Sequence, residues 1–283
     1  MTVATTTKDQ EQVRQDSPLR PDWVIIIYMA GLHIAALFAL LPSNFSWAAV
    51  GVAVFFHWVT GGLGITLGFH RLVTHRSFQT PKWLEYFFVL CGTLSCQGGP
   101  INWIGIHRLH HLHSDENLDP HDSNKGFWWS HMGWMLYKNP ADTDIPRVTK
   151  DISGDPVYQF LQNYFIPIQV VLGLILYALG GWPFVVWGIF ARVVAVFHCT
   201  WFVNSATHKF GYRTYDSEDR STNCWWVALL TYGEGWHNNH HAFQYSARHG
   251  LKWWEIDLTW MTIHFLQTLG LASKVKLVEE SKQ

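Results

Sequence analysis

WAAVGVAVFFHWVTGGLGITLGFHRLVTH, residues 47–75, is the stretch of this 283-residue chain that decides its fold. The segment from Trp47 to Phe69 is almost entirely apolar and is long enough to cross a lipid bilayer as a helix. It ends directly in two histidines, His70 and His75, which four residues separate. The stretch therefore predicts a membrane-spanning helix that delivers a pair of imidazoles to the membrane surface.

Two further histidine runs share a different spacing. They read HRLHH at residues 107–111 and HNNHH at residues 237–241. On an α-helix of about 3.6 residues per turn, this spacing turns all three imidazoles of a run toward one side. The first pair does not share a face so neatly, because five residues rotate the second ring by about 140°. That pair suits a helix end, where the backbone can bend His75 round. Together the histidines predict a site for two metal ions.

Composition separates this chain from soluble and nucleic-acid-binding proteins. It contains 17 His against 21 Asp plus Glu, with 16% aromatic and only 14% charged residues. Such a balance is typical of a bilayer protein whose metal ligands are imidazoles more than carboxylates. The formal net charge of −1 leaves no basic surplus for phosphates, so we expect no nucleic-acid partner.

The apolar segments predict one all-α integral membrane domain. It covers residues 21–272, between a flexible tail at 1–20 and a C-terminal tail at 273–283. We expect four transmembrane helices in two hairpins, with spans at about 23–41, 47–69, 160–180 and 182–204.

The distribution of charge predicts the orientation of this domain. Both turns within the hairpins carry no charge, whereas Lys and Arg occur in the tail and after the second and fourth spans. By the positive-inside rule, both termini are cytoplasmic, as is a helical cap formed by residues 70–158 and 205–272. All histidine groups then lie on one side. Residues 83–96 and 253–271 are apolar but too short or too amphipathic to span, so we expect them at the membrane interface.

Other polar residues are candidates for supporting roles. His208 closes the segment that begins at Asn204, level with the metal site at the end of the fourth span, and is a candidate ninth ligand. Glu234 belongs to a single E-x-x-H pair and is interpreted as a carboxylate that supports a ligand. Structural roles are expected for His33, His57, His198 and His264, whereas support of a ligand and a surface position both stay open for His113, His121 and His131.

The surroundings of the histidines favour oxidation chemistry. A site at the mouth of a Trp- and Phe-rich apolar bundle receives an alkyl chain more readily than a peptide or a sugar. An unactivated methylene has no useful acidity, so it has to be oxidised. Imidazole-bound iron with an open position for O₂ fits that task, while redox-silent zinc does not. We therefore expect two iron ions, with O₂ as co-substrate.

The chain resembles the membrane fatty acyl Δ9 desaturase family over nearly all of its length after the tail. The resemblance rests on the order and spacing of the histidine groups and on words such as Asp119-Pro-His121 and Ser130-His-Met-Gly-Trp134. It implies O₂-dependent insertion of a cis double bond into a saturated acyl chain at a cytoplasmic di-iron centre. It also implies that Asn204 contacts one iron through water and that the direct ligands are His70, His75, His107, His110, His111, His208, His237, His240 and His241.

Selection of one C–C bond in a chain of equivalent methylenes requires a tunnel of fixed depth. Burial of one more methylene changes the binding free energy by only about 0.8 kcal/mol. The distance between the head group and the metal therefore has to determine which bond reacts. Trp58, in the second span, and Trp103, four residues before His107, are the candidates for the wall of this tunnel.

The resemblance also bears on substrate and partners. Acyl-CoA members of the family carry an Arg-Asp pair where this chain has Gly105 and Ile106. This favours an acyl chain esterified to a membrane glycerolipid, as in cyanobacterial acyl-lipid desaturases, with acyl-CoA as the alternative. Since no cytochrome b5-like domain is fused, we expect a separate electron donor, ferredoxin.

Two rival functions follow from the same residues. An alkyl-chain hydroxylase can use the same iron site and would release an alcohol instead of an alkene. A membrane zinc protein, either a hydrolase or a transporter, would use the histidines for zinc. A transporter would also require ionisable residues along its spans. This chain has only Arg192 and scattered histidines there.

Overall fold

The computed structural model describes residues 19–138 and 144–279 of the chain. The predicted N-terminal tail at 1–20 lies outside the described residues except for Leu19 and Arg20. Within the described ranges the fold is all-helical, and β-structure is limited to isolated bridges. The principal helices are α1 Trp23–Leu37, α2 Trp47–Thr74, α3 Lys82–Thr93, α4 Pro100–His113, α5 Phe127–His131, α6 Ile145–Val148, α7 Pro156–Val185, α8 Arg192–Ser205, α9 Trp225–Leu230, α10 His237–Ala242 and α11 Leu258–Thr268.

Short 3₁₀ turns and polar caps mark the boundaries of several of these helices. The 3₁₀ turn Pro42–Asn44 separates α1 from α2, and Ser46 caps α2 by accepting a hydrogen bond from the Ala49 amide at 3.1 Å. Asn44 is buried and donates to the Phe38 carbonyl at 2.9 Å, which fixes the turn. Both α1 and α2 then pack against α8 and the π-helical turn Val186–Ala191 that precedes it.

Three stretches of the described chain are long and apolar enough to cross a membrane: Trp23–Leu40, Trp47–Thr74 and Pro156–His208. The third stretch is not one straight helix. At Gly181 the backbone has φ 67° and ψ −160°, a conformation that favours glycine, and Gly180 is also non-helical. Leu176, before this break, packs in one buried cluster with Ile189, after it. A straight helix would hold these two residues about 20 Å apart, so the chain reverses direction at the glycine pair.

Helix α2 continues beyond its apolar half into the main core of the protein. Its residues 64–73 are buried, and Phe69 and Leu72 share a core cluster with Phe88 of α3 and Ile104 of α4. Helix α3 approaches so closely that a Cβ placed on Gly64 would lie 2.4 Å from the Gly92 amide nitrogen. The helix that leaves the apolar bundle is therefore the central support of the histidine-rich half.

Two helices of the cap expose one apolar side each. Trp83, Phe87 and Leu90 are exposed on α3, and Met261 and Phe265 are exposed on α11. The spacing of three or four residues places each set on one face of its helix. Such faces are what the prediction of interfacial helices at 83–96 and 253–271 requires.

The chain beyond α11 packs back onto the domain. Gln79 and Ser273 exchange two backbone hydrogen bonds of 2.8 Å, and the Lys276 amide donates to the Ser77 carbonyl at 2.8 Å. Val278 is buried. Packed structure therefore extends past the boundary at residue 272 that the sequence suggested, because this segment pairs with the loop after α2.

Candidate metal centre

His70 lies on the π-helical part of α2, residues 58–74, and His75 directly follows it. The His75 amide donates to the His70 carbonyl at 3.1 Å, and the Thr74 hydroxyl donates to the Phe69 carbonyl at 2.7 Å. Bonds between residues five apart place those residues above one another, unlike in an α-helix. The two imidazole centroids consequently lie 4.7 Å apart. The wider helical turn, rather than a bend at the helix end, brings both rings to one face.

The second histidine run occupies the last turns of α4. Gln162 caps this helix by accepting hydrogen bonds from the amides of Ile101 and Asn102. At the other end, Arg108 donates to the Val73 carbonyl at 2.9 Å, which ties α4 to the end of α2. These contacts hold the three rings of the run against the His70 and His75 pair.

The third run forms α10, a helix of only six residues that requires external support. Asn238 and Asn239, both buried, supply it. The Asn238 side chain accepts from the amides of Thr214 and Tyr215 at 2.7 and 2.8 Å. The Asn239 side chain donates to the His249 carbonyl, and the backbone N–H of Asn239 donates to the Asn223 side chain. The two residues between the histidines thus anchor the ligand helix to its surroundings.

Nine imidazoles gather into two groups. We call the first the five-histidine cluster, whose ligand nitrogens all lie within 4.8 Å of one another, and the second the four-histidine cluster, which meets the same limit. The five-histidine cluster contains His70, His75, His107, His111 and His240. The four-histidine cluster contains His110, His208, His237 and His241. All nine ligands predicted from the sequence are thereby brought together.

Every ring turns its Nε2 atom inward. In the five-histidine cluster, His111 Nε2 lies 3.0 Å from both His107 Nε2 and His240 Nε2. In the four-histidine cluster, the Nε2 atoms of His208 and His237 lie 3.2 Å apart. His208 reaches this position from the 3₁₀ turn Ala206–His208, which continues α8.

The Nδ1 atoms of four rings point outward to carboxylates. His70 meets Glu234 at 2.7 Å, and His110 and His208 meet Asp119 and Asp115 at 2.9 Å each, while His241 contacts Asp219. At His110, His208 and His241 the carboxylate accepts a hydrogen bond from Nδ1, so in the neutral ring the single proton is at Nδ1 and Nε2 is a bare lone pair. The Nε2 atoms of His110 and His241 nevertheless face each other at 3.4 Å. Lone pairs that converge in this way fit a metal ion between them.

Burial tunes the protonation of these groups. It lowers the pKa of His107, His111, His237 and His240 well below the ordinary value, which favours the neutral ring that binds metal. His110 is the exception, because the charge of Asp119 outweighs burial and raises its pKa.

The supporting carboxylates stay ionised. Burial alone would raise the pKa of Asp115, Asp119 and Asp219, but hydrogen bonds and the neighbouring imidazoles outweigh it and hold each pKa below its usual range. The same holds at Glu234, where the Arg71 guanidinium is the main opposing influence. Arg71 is fully buried and also pairs with Asp257 at 2.9 Å.

An apolar cavity extends from the histidine clusters toward the membrane half of the protein. Its walls include Trp103, whose ring stacks on His107 with centroids 5.3 Å apart. Trp58 does not line this cavity. Its side chain is 43% exposed and its ring lies near Phe55, outside the cavity wall. Asn204 lines the cavity beside the metal ligands, together with Ile65, Val196, Cys199, Val203, Leu230 and Tyr232.

The remaining histidines occupy three kinds of position. His121 lies against Asp119 and the His110 ring, which makes it a support of the four-histidine cluster. His33, His198 and His131 form a hydrogen-bonded chain with nitrogen separations of 3.1 and 3.0 Å. The others contact residues outside both clusters: His57 pairs with Tyr232, His113 lies 3.6 Å from Glu116 and His264 lies against Trp260.

Comparison with known proteins identifies the chain. The sequence profile of the fatty acid desaturase family matches residues 45–265, which include all nine histidines. The chain belongs to the fatty acid desaturase family. Among its relatives, the sn-1 stearoyl-lipid 9-desaturase of Anabaena variabilis is 71% identical over 282 residues, covering 100% of both chains.

Two other relatives of this desaturase come from cyanobacterial sources. The sn-1 stearoyl-lipid 9-desaturase of Synechocystis sp. is 67% identical over 93% of this chain and 83% of its own length. The sn-2 palmitoyl-lipid 9-desaturase of Nostoc sp. is 52% identical over 89% of this chain and 90% of its own. The protein is accordingly an oxidoreductase of lipid metabolism.

Four residues of the desaturase that lie against the histidine clusters or Glu234 were not assigned a supporting role from the sequence. Asp115 and Asp119 follow the second histidine run within one short loop, and that proximity was an available signal. Asp219 lies in a charged segment that resembles any solvated loop, and His249 belongs to no repeated pattern. His249 is buried, stacks on His240 with centroids 4.4 Å apart and lies 3.2 Å from Glu234. Only the folded chain brings these two to the centre.

Proposed function

We propose that this desaturase inserts a cis double bond at position 9 of a saturated acyl chain esterified to a membrane glycerolipid. The observation that carries the proposal is the convergence of nine Nε2 atoms at the head of an apolar cavity. The relatives support the position and the lipid ester, since three of them are lipid 9-desaturases.

Two iron ions are the metals proposed for the clusters. Imidazole donors without thiolates suit iron, and the five-histidine and four-histidine clusters would each hold one ion. When bound, the iron pair supplies the oxidising power: one O₂, two electrons and two protons convert a –CH₂–CH₂– unit into –CH=CH– and yield two water molecules. Asn204 would contact one iron through a water molecule, in keeping with its place on the cavity wall.

The residues of the chain have the task of positioning the substrate. The indole of Trp103 lies parallel to the His107 ring, so a methylene that rests on it is held beside the five-histidine cluster. Ile65, Val196 and Val203 continue the apolar wall and exclude water from the reacting carbons. Selection of one bond then depends on how deep the chain can enter.

We infer a four-span topology with the metal centre on the cytoplasmic side. The reversal at Gly180 and Gly181 divides the third apolar stretch into two spans, which agrees with uncharged turns inside both hairpins. The exposed apolar faces of α3 and α11 would then rest at the membrane interface. A separate protein at the cytoplasmic face, a ferredoxin, is the proposed electron donor.

The function is tested with purified protein reconstituted with iron, a ferredoxin reducing system and O₂. Stearoyl glycerolipid and stearoyl-CoA are offered separately, and the products are analysed for double-bond position. We expect an alkene at position 9 in the glycerolipid. Turnover of the CoA ester alone would overturn the lipid assignment, and an alcohol product would point to hydroxylation instead.

A further inference from the structure

The two histidine clusters differ in the charge that stands behind them. In the four-histidine cluster, three of four rings donate to ionised carboxylates, namely Asp115, Asp119 and Asp219. In the five-histidine cluster, the described residues offer one carboxylate, Glu234, whose Oε2 lies 2.7 Å from His70 Nδ1 but outside hydrogen-bond geometry.

That single carboxylate is also partly neutralised. Arg71 lies 2.9 Å from Glu234 and 2.9 Å from Asp257, so two acids and one guanidinium leave one net negative charge near the five-histidine cluster. The three aspartates around the four-histidine cluster receive hydrogen bonds mainly from imidazoles, hydroxyls and amides. Arg220 approaches them with its backbone amide, while its guanidinium donates to Asn124. Two extra negative charges therefore surround the four-histidine cluster.

A carboxylate that accepts a hydrogen bond from Nδ1 makes Nε2 a stronger electron-pair donor to a metal ion. The same hydrogen bond fixes the orientation of the ring. Negative charge close to a buried cation also stabilises it directly, and more so where water is excluded. Both effects act in the same direction. We propose, on the basis of the di-iron function above, that the two sites are unequal and that the four-histidine cluster takes up the first metal ion.

The occupancy of the two histidine clusters is measured by metal binding rather than by turnover. The full-length protein, stripped by a chelator and held in detergent without O₂, is titrated with Fe²⁺ while bound and free iron are measured. We expect two equivalents, with the first bound at least about tenfold more tightly than the second. Two equivalents of equal affinity would overturn the inference, whereas fewer than two would overturn the di-iron proposal itself.

Ligand variants assign each phase of binding to a cluster. His208→Ala is expected to remove the tight phase and keep the weak one. His75→Ala is expected to do the opposite. Loss of the tight phase in His75→Ala, with its retention in His208→Ala, would reverse the assignment and overturn the inference.

Carboxylate variants test the cause of the inequality. Asp119→Asn and Asp219→Asn should each weaken the first equivalent by about 10–100-fold and leave the second unchanged. Asp216→Asn is the matched control, since it removes the same charge from the loop of Asp219 at a fully exposed residue that touches no ligand. Circular dichroism of each variant confirms the fold. Unchanged affinity in both Asp119→Asn and Asp219→Asn would show that the carboxylates do not set the order.

Discussion

At the scale of single residues, Glu234 links a buried arginine to two histidines. Its two oxygens face the buried Arg71 guanidinium, His70 Nδ1 and His249 Nδ1. One carboxylate thus balances a buried charge and orients a metal ligand. Arg71 is fully buried, so its charge depends on these protein contacts rather than on water.

Removal of this carboxylate charge should destabilise the protein strongly. We expect Glu234→Gln to lower the free energy of unfolding by about 3 kcal/mol, the low end for breaking a buried pair, because Asp257 still faces Arg71. The control is Arg76→Gln, which breaks an ion pair with Asp151 whose arginine is 60% exposed and should cost less than about 1 kcal/mol. Thermal unfolding in detergent measures both. Equal stability of the two variants would contradict the role given to Glu234.

At the scale of elements, short helices carry ligands only because other segments hold them. Helix α10 has six residues and presents His237, His240 and His241. Its register is set by Asn238 and Asn239, which bond to three separate parts of the chain. The polar residues inside the histidine run are therefore as necessary to the geometry as the ligands.

Asn239→Ala tests the anchoring of α10. The variant removes the side-chain hydrogen bonds that Asn239 makes with Asn223, the His249 carbonyl and Glu255, at a cost of about 1–3 kcal/mol. We expect bound iron to fall below two equivalents per chain. Asn163→Ala, at an exposed position of α7, should keep full iron content. Elemental analysis of the purified proteins decides between these outcomes.

The contact between α2 and α3 is a second element that can be tested. A Cβ on Gly64 would meet the backbone of Cys91 and Gly92 at 2.4–2.6 Å, so the two helices would have to move apart. Gly64→Ala should cost about 1–3 kcal/mol and lower the thermal midpoint. In Gly31→Ala, on α1, the new methyl group meets no atom within 4 Å, and no loss of stability is expected. A midpoint that is unchanged in Gly64→Ala would show that this approach is not tight.

At the scale of the whole molecule, all nine histidines proposed as metal ligands lie at the end of the apolar bundle. The nine ligands come from α2, α4, α10 and the turn after α8, and α2 and α8 both belong to the apolar stretches. Two helices that leave the apolar region thus fix the depth of the centre, and the cap helices complete it. This arrangement requires an even number of spans between the first and the last ligand-bearing segments.

Cysteine labelling tests that topology. Ser43 lies in the turn between α1 and α2, and Glu218 lies in the loop before α9, and both are exposed. With four spans, Ser43→Cys in intact cells should react with a membrane-impermeant maleimide, whereas Glu218→Cys should react only after the membrane is opened. Reaction of both variants from outside would mean that residues 156–208 cross the membrane once. The parent chain supplies the background, since Cys91, Cys96 and Cys224 are buried and Cys199 is half-buried.

The sequence predicted what depends on local spacing. The clustering of the nine histidines and the break at Gly180 could be predicted, because histidine runs and glycine pairs are recognisable within a few residues of chain. Asp219 and His249 reach the centre only through folding, and no local pattern marks them. Trp58 does not line the cavity described above, so its predicted place in a tunnel wall stays a prediction. The direction of its side chain depends on the helical turn, and residues 58–74 do not follow α-helical geometry.

The π-helical backbone of α2 has a consequence for how this chain tolerates insertions and deletions. A spacing of five places His70 and His75 together only while the carbonyl of His70 is paired with the amide of His75. Loss of one residue between them, such as Val73, would give a spacing of four, which an ordinary α-helix serves equally well. Compared with an α-helical spacing of four, the fifth residue is accommodated as a bulge in the helix. A chain one residue shorter here could preserve the same pair of rings by tightening a single turn.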